Sequence, residues 1–186
     1  MIGGANGAGK TTVALTLLPN FLDTFEYVNA DEIARGLSPL NPESMAIVAG
    51  ILMLERLQTL SNSGVNFAFE TTLASRFFAV FARDCQTRGY TVNLIYFWLN
   101  SPELAIERVR QRVIAGGYNI PEDTIRRRYQ RGVNNFYQLY LPICNTWIVY
   151  DNSSSRSRLI AARNTEGETA IYVPEIWNRI RNDSNS

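Results

Sequence analysis

Gly4-Ala5-Asn6-Gly7-Ala8-Gly9-Lys10-Thr11 matches the spacing G-x-x-x-x-G-K-[ST] at every fixed position. Glycines at that spacing let the backbone curl until successive N–H groups converge on an anion, and a helix opening at Lys10 adds the positive end of its dipole. The chemistry this predicts is the binding of ATP with Mg2+. Lys10 would bridge the β- and γ-phosphates, Thr11 would offer its hydroxyl to the metal, and Thr12 would carry the loop into the helix. A chance glycine-rich turn is the plain alternative, but Lys10 is the only lysine, the other 17 of the 18 basic residues being arginine. The chain also has no histidine, which removes histidine bases, Ser-His-Asp triads and histidine metal sites. Acid–base chemistry must therefore use carboxylates.

Two carboxylates stand where such chemistry needs them. Asp31 follows an apolar run read as a strand over Glu26 to Asn29, so it would face the phosphates at a strand end. There it could accept the proton of an attacking hydroxyl or help hold magnesium; the competing role is to cap a helix beginning at Glu32. Glu70, with Thr71, follows the next apolar run, Asn66 to Phe69, and could orient substrate hydroxyls or a metal-bound water. Arginines gather on either side of Gly116-Gly117: Arg108, Arg110 and Arg112 before it, Arg126, Arg127, Arg128 and Arg131 after it. Two helices hinged on that turn would form a lid whose guanidinium groups neutralise a moving phosphate. Pairing with Glu107, Glu122 and Asp123 on a solvated face would explain several of them equally well.

The elements that must position these groups alternate strand and helix. A helix from Lys10 is expected to stop before Pro19-Asn20. Ser44 to Leu60 reads as a helix with an apolar face of Ile47, Ile51, Leu54 and Leu57. Helices through Phe77 and from Pro102, a strand over Thr91 to Leu99, a second lid helix from Pro121, and a strand over Thr146 to Tyr150 follow. Residues 158–182 read as a hairpin about Glu166-Gly167 and a last helix. Alternation of this kind implies an α/β P-loop NTPase domain of nucleotide-kinase type: a three-layer sandwich about a mostly parallel sheet, with a helical lid near 108–131. Ligands would sit at the carboxyl ends of the strands.

Composition agrees with one such domain over residues 1–186. At 46% hydrophobic and 19% charged residues the chain resembles an ordinary globular protein. A net charge of +1 calls for neither nucleic acid nor an anionic membrane as partner. Cys85 and Cys144 form no C-x-x-C pair, and no apolar run of bilayer length stands out, so a cytoplasmic protein is expected. Only Met1-Ile2 precede Gly3-Gly4, so the strand entering the glycine loop looks cut short.

Read together, GGANGAGKTT, VNADEIARGLSP, FAFETTLASR, SPELAIERVRQRV, GGYNIPEDTIRRRY and VYDNS resemble the zeta-toxin-like P-loop kinases, in order over most of residues 2 to 153. The resemblance implies an ATP-dependent phosphotransferase acting on a small-molecule hydroxyl, the well-studied toxins using the 3′-hydroxyl of UDP-N-acetylglucosamine. It makes Lys10 and Thr11 the ATP and magnesium residues and Asp31 the base. Glu70 and Thr71 become sugar contacts; Arg112, Arg127 and Arg128 become phosphate clamps. It also admits an antitoxin partner, although no segment reads as a docking helix for one. Tyr118 stands in the glycine turn where related sequences often carry histidine. A nucleoside or polynucleotide 5′-hydroxyl kinase could use the same parts, as could a nucleotide-binding remnant. An NTP-hydrolysing switch or motor, with water as the acceptor, is disfavoured by the small size of the chain and by the lack of N-K-x-D.

Overall fold

The computed structural model describes every residue except Asp23, Tyr118, Asn185 and Ser186, and the backbone alone of Phe21. The Tyr118 departure therefore lies outside the described residues. Seven strands form one sheet: β1 (Ile2–Gly4), β2 (Tyr27–Val28), β3 (Ala68–Thr71), β4 (Asn93–Trp98), β5 (Thr146–Asp151), β6 (Arg158–Arg163) and β7 (Thr169–Ile171), in the order β2-β3-β1-β4-β5-β6-β7. The pairs from β2 through β5 are parallel, and β5–β6 and β6–β7 are antiparallel. In β4, Leu94, Tyr96, Phe97 and Trp98 are all buried. A strand without a polar alternate face is what a sheet covered on both sides requires. The fold is a three-layer α/β sandwich.

Strand order reverses at β1, because the chain leaves it first toward β2 and β3 and later returns to β4 on its other side. That reversal opens a crevice at the strand ends, and the glycine loop after β1 lies there. The helices are α1 (Lys10–Phe21), α2 (Ala30–Leu37), α3 (Ala46–Asn62), α4 (Phe77–Thr87), α5 (Pro102–Ile114), α6 (Glu122–Asn135) and α7 (Pro174–Asp183). Two apolar clusters hold them: a large one containing Ile2, Leu94, Phe97, Val109 and Phe136, and a smaller one of Val28, Met53, Leu57, Phe69 and Phe81 among others.

Helices α1 and α3 differ from their sequence reading. Helix α1 runs through Pro19 to Phe21 instead of stopping before the proline. Proline there forfeits a single hydrogen bond within the final turn, where a helix is already fraying, so the chain tolerates it. Helix α3 buries Ala49, Met53, Leu57 and Leu60, whereas Ile47 and Ile51 of the expected core face are 80% and 53% exposed. The helix is apolar on more than one side, so periodicity alone could not select the buried one. With the turn before it, 42–62 is long and apolar enough by composition to cross a bilayer; in this fold one side of it packs on Val28 and Phe69 and another walls a cavity.

Short as it is, β1 pairs on both sides: Ile2 and Gly3 with Glu70 and Thr71 of β3, and Ile2, Gly3 and Gly4 with Ile95, Tyr96 and Phe97 of β4. Ala68 and Asn93 lie beyond its register, where a cavity of about 520 Å³ opens beside Met1, Ile2, Phe67 and Asn93. Placing four β-branched residues before Met1 is expected to fill that space and raise Tm by several degrees, since strands of about five or six residues are the norm. A thermal melt of the extended and given chains side by side checks this. Equal Tm values would mean three residues suffice.

Candidate active site

The glycine loop takes its shape from backbone geometry that side chains would forbid. Gly4 has φ +146°, and a Cβ there would meet the Phe97 carbonyl oxygen at 2.4 Å. Gly9, at φ +82°, precedes the first turn of α1, and a Cβ on it would lie 2.8 Å from Asn152 Nδ2. Asn152 Nδ2 donates to the Ala8 carbonyl at 2.7 Å, and Arg108 bridges the Gly7 and Ser153 carbonyls at 3.5 and 3.2 Å. The turn after β5 and a side chain of α5 thus hold the loop from outside. Neither contact is signalled by local sequence.

Glu70 is the hub of the site. Its Oε2 accepts from Thr11 Oγ1 at 2.8 Å, from Tyr27 OH at 2.6 Å and from Asn29 Nδ2 at 3.1 Å. Its Oε1 lies 3.5 Å from Lys10 Nζ, which donates to the Ala5 carbonyl at 2.8 Å. Lys10 and Glu70 are nearly buried. Burial, and next the Glu70 charge and hydrogen bond, push the Tyr27 hydroxyl far above the ordinary phenol range, so it remains a donor. Glu70 therefore ties the loop lysine and threonine to β2, and three donors already occupy Oε2. Its neighbour Thr71 is buried and accepts from the Leu73 amide at 3.1 Å. Leu73, fully buried at φ +59°, turns the chain sharply; Asn135 of α6 donates to its carbonyl at 2.8 Å, and Tyr140 donates to Ser75 O at 2.6 Å. A non-glycine residue in that conformation is strained by about 1–3 kcal/mol, and these contacts oppose its relaxation.

Asp31 does not cap a helix from Glu32. Helix α2 starts at Ala30, and its cap is Asn29, whose Oδ1 accepts from the Asp31 amide at 2.9 Å. With Asn29 doing that work, the Asp31 carboxylate is left in the first turn, where the helix dipole favours an anion. Arg112, in the last turn of α5, comes within 3.9 Å of it. Asp31 and Lys10 line one cavity of about 640 Å³ together with Glu70, Thr71, Arg127 and Arg128, so the sequence-selected groups converge. The far wall is apolar, built from Ile47, Ile51 and Leu54 of α3 and Phe77 and Phe78 of α4.

The arginine cluster divides. Arg110 pairs with Glu122, and Arg126 with Glu103. Arg127, Arg128 and Arg131 line the cavity, and among the described residues none of the three makes a hydrogen bond or ion pair. Asn29 and Tyr27 are absent from any set that spacing alone selects, and Arg131, named with the lid cluster, was not among the expected phosphate clamps.

A family model for zeta toxin matches residues 1–165 of the chain. The chain belongs to the zeta toxin family. A protein of Haemophilus influenzae described as uncharacterized is 30% identical over 128 residues, covering 68% of this chain and 88% of that one. Crystal structures of AvrRxo1-ORF1:-ORF2, one of them with ATP, match at TM-score 0.75 and 15% identity, covering 96% of this chain. This zeta-toxin-family chain spans only 61% of that AvrRxo1 chain. The PezAT toxin–antitoxin system of Streptococcus pneumoniae gives TM-score 0.60 at 19% identity, with 95% and 74% of the two chains covered. Deoxyadenosine kinase of M. mycoides with bound dATP matches at TM-score 0.52 and 15% identity over 97% of each chain. At these identities the likeness shows the fold.

The residues of this zeta toxin relative fit ATP and magnesium. At Gly4, Gly7 and Gly9 an added Cβ would strike Phe97, Arg108 and Asn152, so only glycine keeps the positive-φ curl in which loop N–H groups can gather on a phosphate. Thr11 and Glu70 present oxygen donors of the hard type that magnesium prefers.

Proposed function

We propose that this chain is an ATP-dependent kinase that moves the γ-phosphate to a hydroxyl of a small molecule. The observation that carries this is the 640 Å³ cavity facing Lys10, with a carboxylate, Asp31, and unpaired arginines on its walls. A hydrolase would need room for one water; this cavity has room for a metabolite, and its apolar wall suits a sugar nucleotide or nucleoside. Guided by the family resemblance, the 3′-hydroxyl of UDP-N-acetylglucosamine is the first acceptor to test, then nucleosides and polynucleotide 5′-ends. PezAT, as a toxin–antitoxin system, extends the proposal to an antitoxin protein that would restrain the enzyme. ATP as donor suits the cytoplasm.

In the reaction the bond between the γ-phosphorus and the β,γ-bridging oxygen breaks and a bond to the acceptor oxygen forms. Asp31 takes the acceptor's proton, ADP leaves, and Lys10 offsets negative charge along the transferring phosphates. Thr11 and Glu70 would hold magnesium, which when bound neutralises phosphate charge. Arg127 and Arg128 stabilise the charge spread on the phosphoryl oxygens as it moves.

Incubation with γ-labelled ATP, magnesium and a panel of UDP-sugars, nucleosides and RNA ends tests the proposal. Label appearing only in inorganic phosphate would replace it with hydrolysis. The division among the arginines gives a sharper expectation. Alanine at Arg127 or Arg128 should lower the saturated rate by about 10- to 10²-fold with little change in KM. Alanine at Arg126, held by Glu103, should leave it unchanged. Equal rates in all three variants would return Arg127 and Arg128 to the solvated face.

A further inference from the structure

Strand β2 sets Tyr27 beside Glu70. Tyr27 pairs with Ala68 in the parallel register of β2 and β3, and Glu70 lies two residues on, so both side chains leave the same face of the sheet. Val28, the alternate residue, packs into the smaller core instead. The Tyr27 hydroxyl donates to Glu70 Oε2 at 2.6 Å, the shortest of the hydrogen bonds on that oxygen, and accepts from Asn29 Nδ2 at 3.2 Å. A phenylalanine would fill the same space, so the hydroxyl is the informative atom. Glu70 lines the cavity that Lys10 faces and Tyr27 does not, so the effect of Tyr27 on a ligand there passes through the carboxylate.

Three neutral donors hold one oxygen of Glu70 and leave the other open. Oε1 accepts no hydrogen bond from the described residues; Lys10 Nζ lies 3.5 Å from it and donates to the Ala5 carbonyl instead. Thr11 commits its single hydroxyl hydrogen to Oε2, and only a long contact of 3.4 Å from Asn29 Nδ2 touches its own oxygen, so Thr11 Oγ1 keeps a lone pair to offer. We infer that Tyr27 is a positioning residue for the divalent cation: it pins Glu70 Oε2 toward Thr11, so that Oε1 of Glu70 and Oγ1 of Thr11 are the oxygens offered to magnesium bound with ATP. This rests on the ATP-binding part of the transfer reading above. Without the phenol, Oε2 keeps two donors and the carboxylate is free to turn toward Lys10, which takes its open oxygen out of use. Removing such an outer partner of a metal-holding group costs about 10- to 100-fold in metal affinity.

The test uses the full chain and needs no acceptor. Calorimetry gives the Kd of ATP with excess magnesium and with EDTA for the parent, Tyr27→Phe, Glu70→Gln and the double variant. Magnesium should tighten ATP binding to the parent. In Y27F that tightening should shrink about tenfold while the Kd in EDTA stays within about two-fold. E70Q should lose as much or more, and adding Y27F to it should remove nothing further, because the tyrosine acts through the carboxylate. A structural role for Tyr27 predicts equal weakening with and without magnesium, or a lower Tm with the magnesium effect intact, and either result would overturn the inference. So would a parent indifferent to magnesium, or additive losses in the double variant. If magnesium tightens ATP binding in this Tyr27-dependent way yet no acceptor is labelled, the transfer reading falls and the positioning role stands.

Discussion

Replacing Lys10 by alanine is expected to reduce phosphotransfer by about 10³-fold or more and to lower Tm as well. The first effect follows from the absence of any other lysine to reach the β- and γ-phosphates. The second follows from Glu70. Its carboxylate is nearly buried, with the Lys10 ammonium 3.5 Å away. Removing one partner of a buried pair leaves an uncompensated charge, which costs on the order of 3 kcal/mol. At about 2–4 °C per kcal/mol for a chain of this size, Tm should drop by roughly 6–12 °C. Thr11, Tyr27 and Asn29 still donate to Oε2, so the lower part of that range is expected. A double variant, Lys10→Ala with Glu70→Gln, should recover much of the Tm and none of the activity. Thermal melts and labelled-ATP assays on the three proteins separate the two roles. An active K10A would discard the phosphate-loop reading altogether.

Changing Asp31 to asparagine is expected to lower the saturated rate by about 10²-fold while ATP affinity stays within a few-fold, as loss of a base should. The geometry favours Asp31 over Glu70 for this role. Glu70 Oε2 is already an acceptor for three side chains, whereas the Asp31 side chain is 37% exposed on the cavity wall and, among the described residues, has Arg112 at 3.9 Å as its charged partner. Asparagine preserves the size of the side chain and leaves the Asn29 cap intact, so Tm should hardly move. Nucleotide titration and initial-rate measurements check this. Collapse of ATP binding with a normal residual rate would make Asp31 a metal or structural residue.

Tracing these roles back to the chain shows why some were legible. The loop residues Gly4 to Thr11 declare themselves because phosphate binding is a local backbone shape, and local spacing encodes it. Asp31 and Glu70 could be placed from the sequence because strand ends face the crevice of a parallel sheet, and both line the cavity there. The identity of the α2 cap was missed by two residues of boundary error: Asn29 and Asp31 are both good caps, and only hydrogen bonding separates them. The α3 face was misread because a ligand-sized cavity and a core draw on the same residue types.

By itself the sequence determined the phosphate-loop spacing, the alternation that yields a mostly parallel α/β sheet, and the lack of histidine, because each depends on residue type or on contacts a few positions apart. Tertiary structure alone decided the rest. Glu70 meets Thr11 across 59 positions and Asn152 braces Ala8 across 144, distances over which no periodicity carries information. Which arginines stay unpaired depends on where α5 and α6 set Glu103 and Glu122, and which side chains line the cavity beside Lys10 depends on how α3, α4 and α6 pack around it. Both are properties of a packed surface, and packing brings together groups that the chain keeps apart.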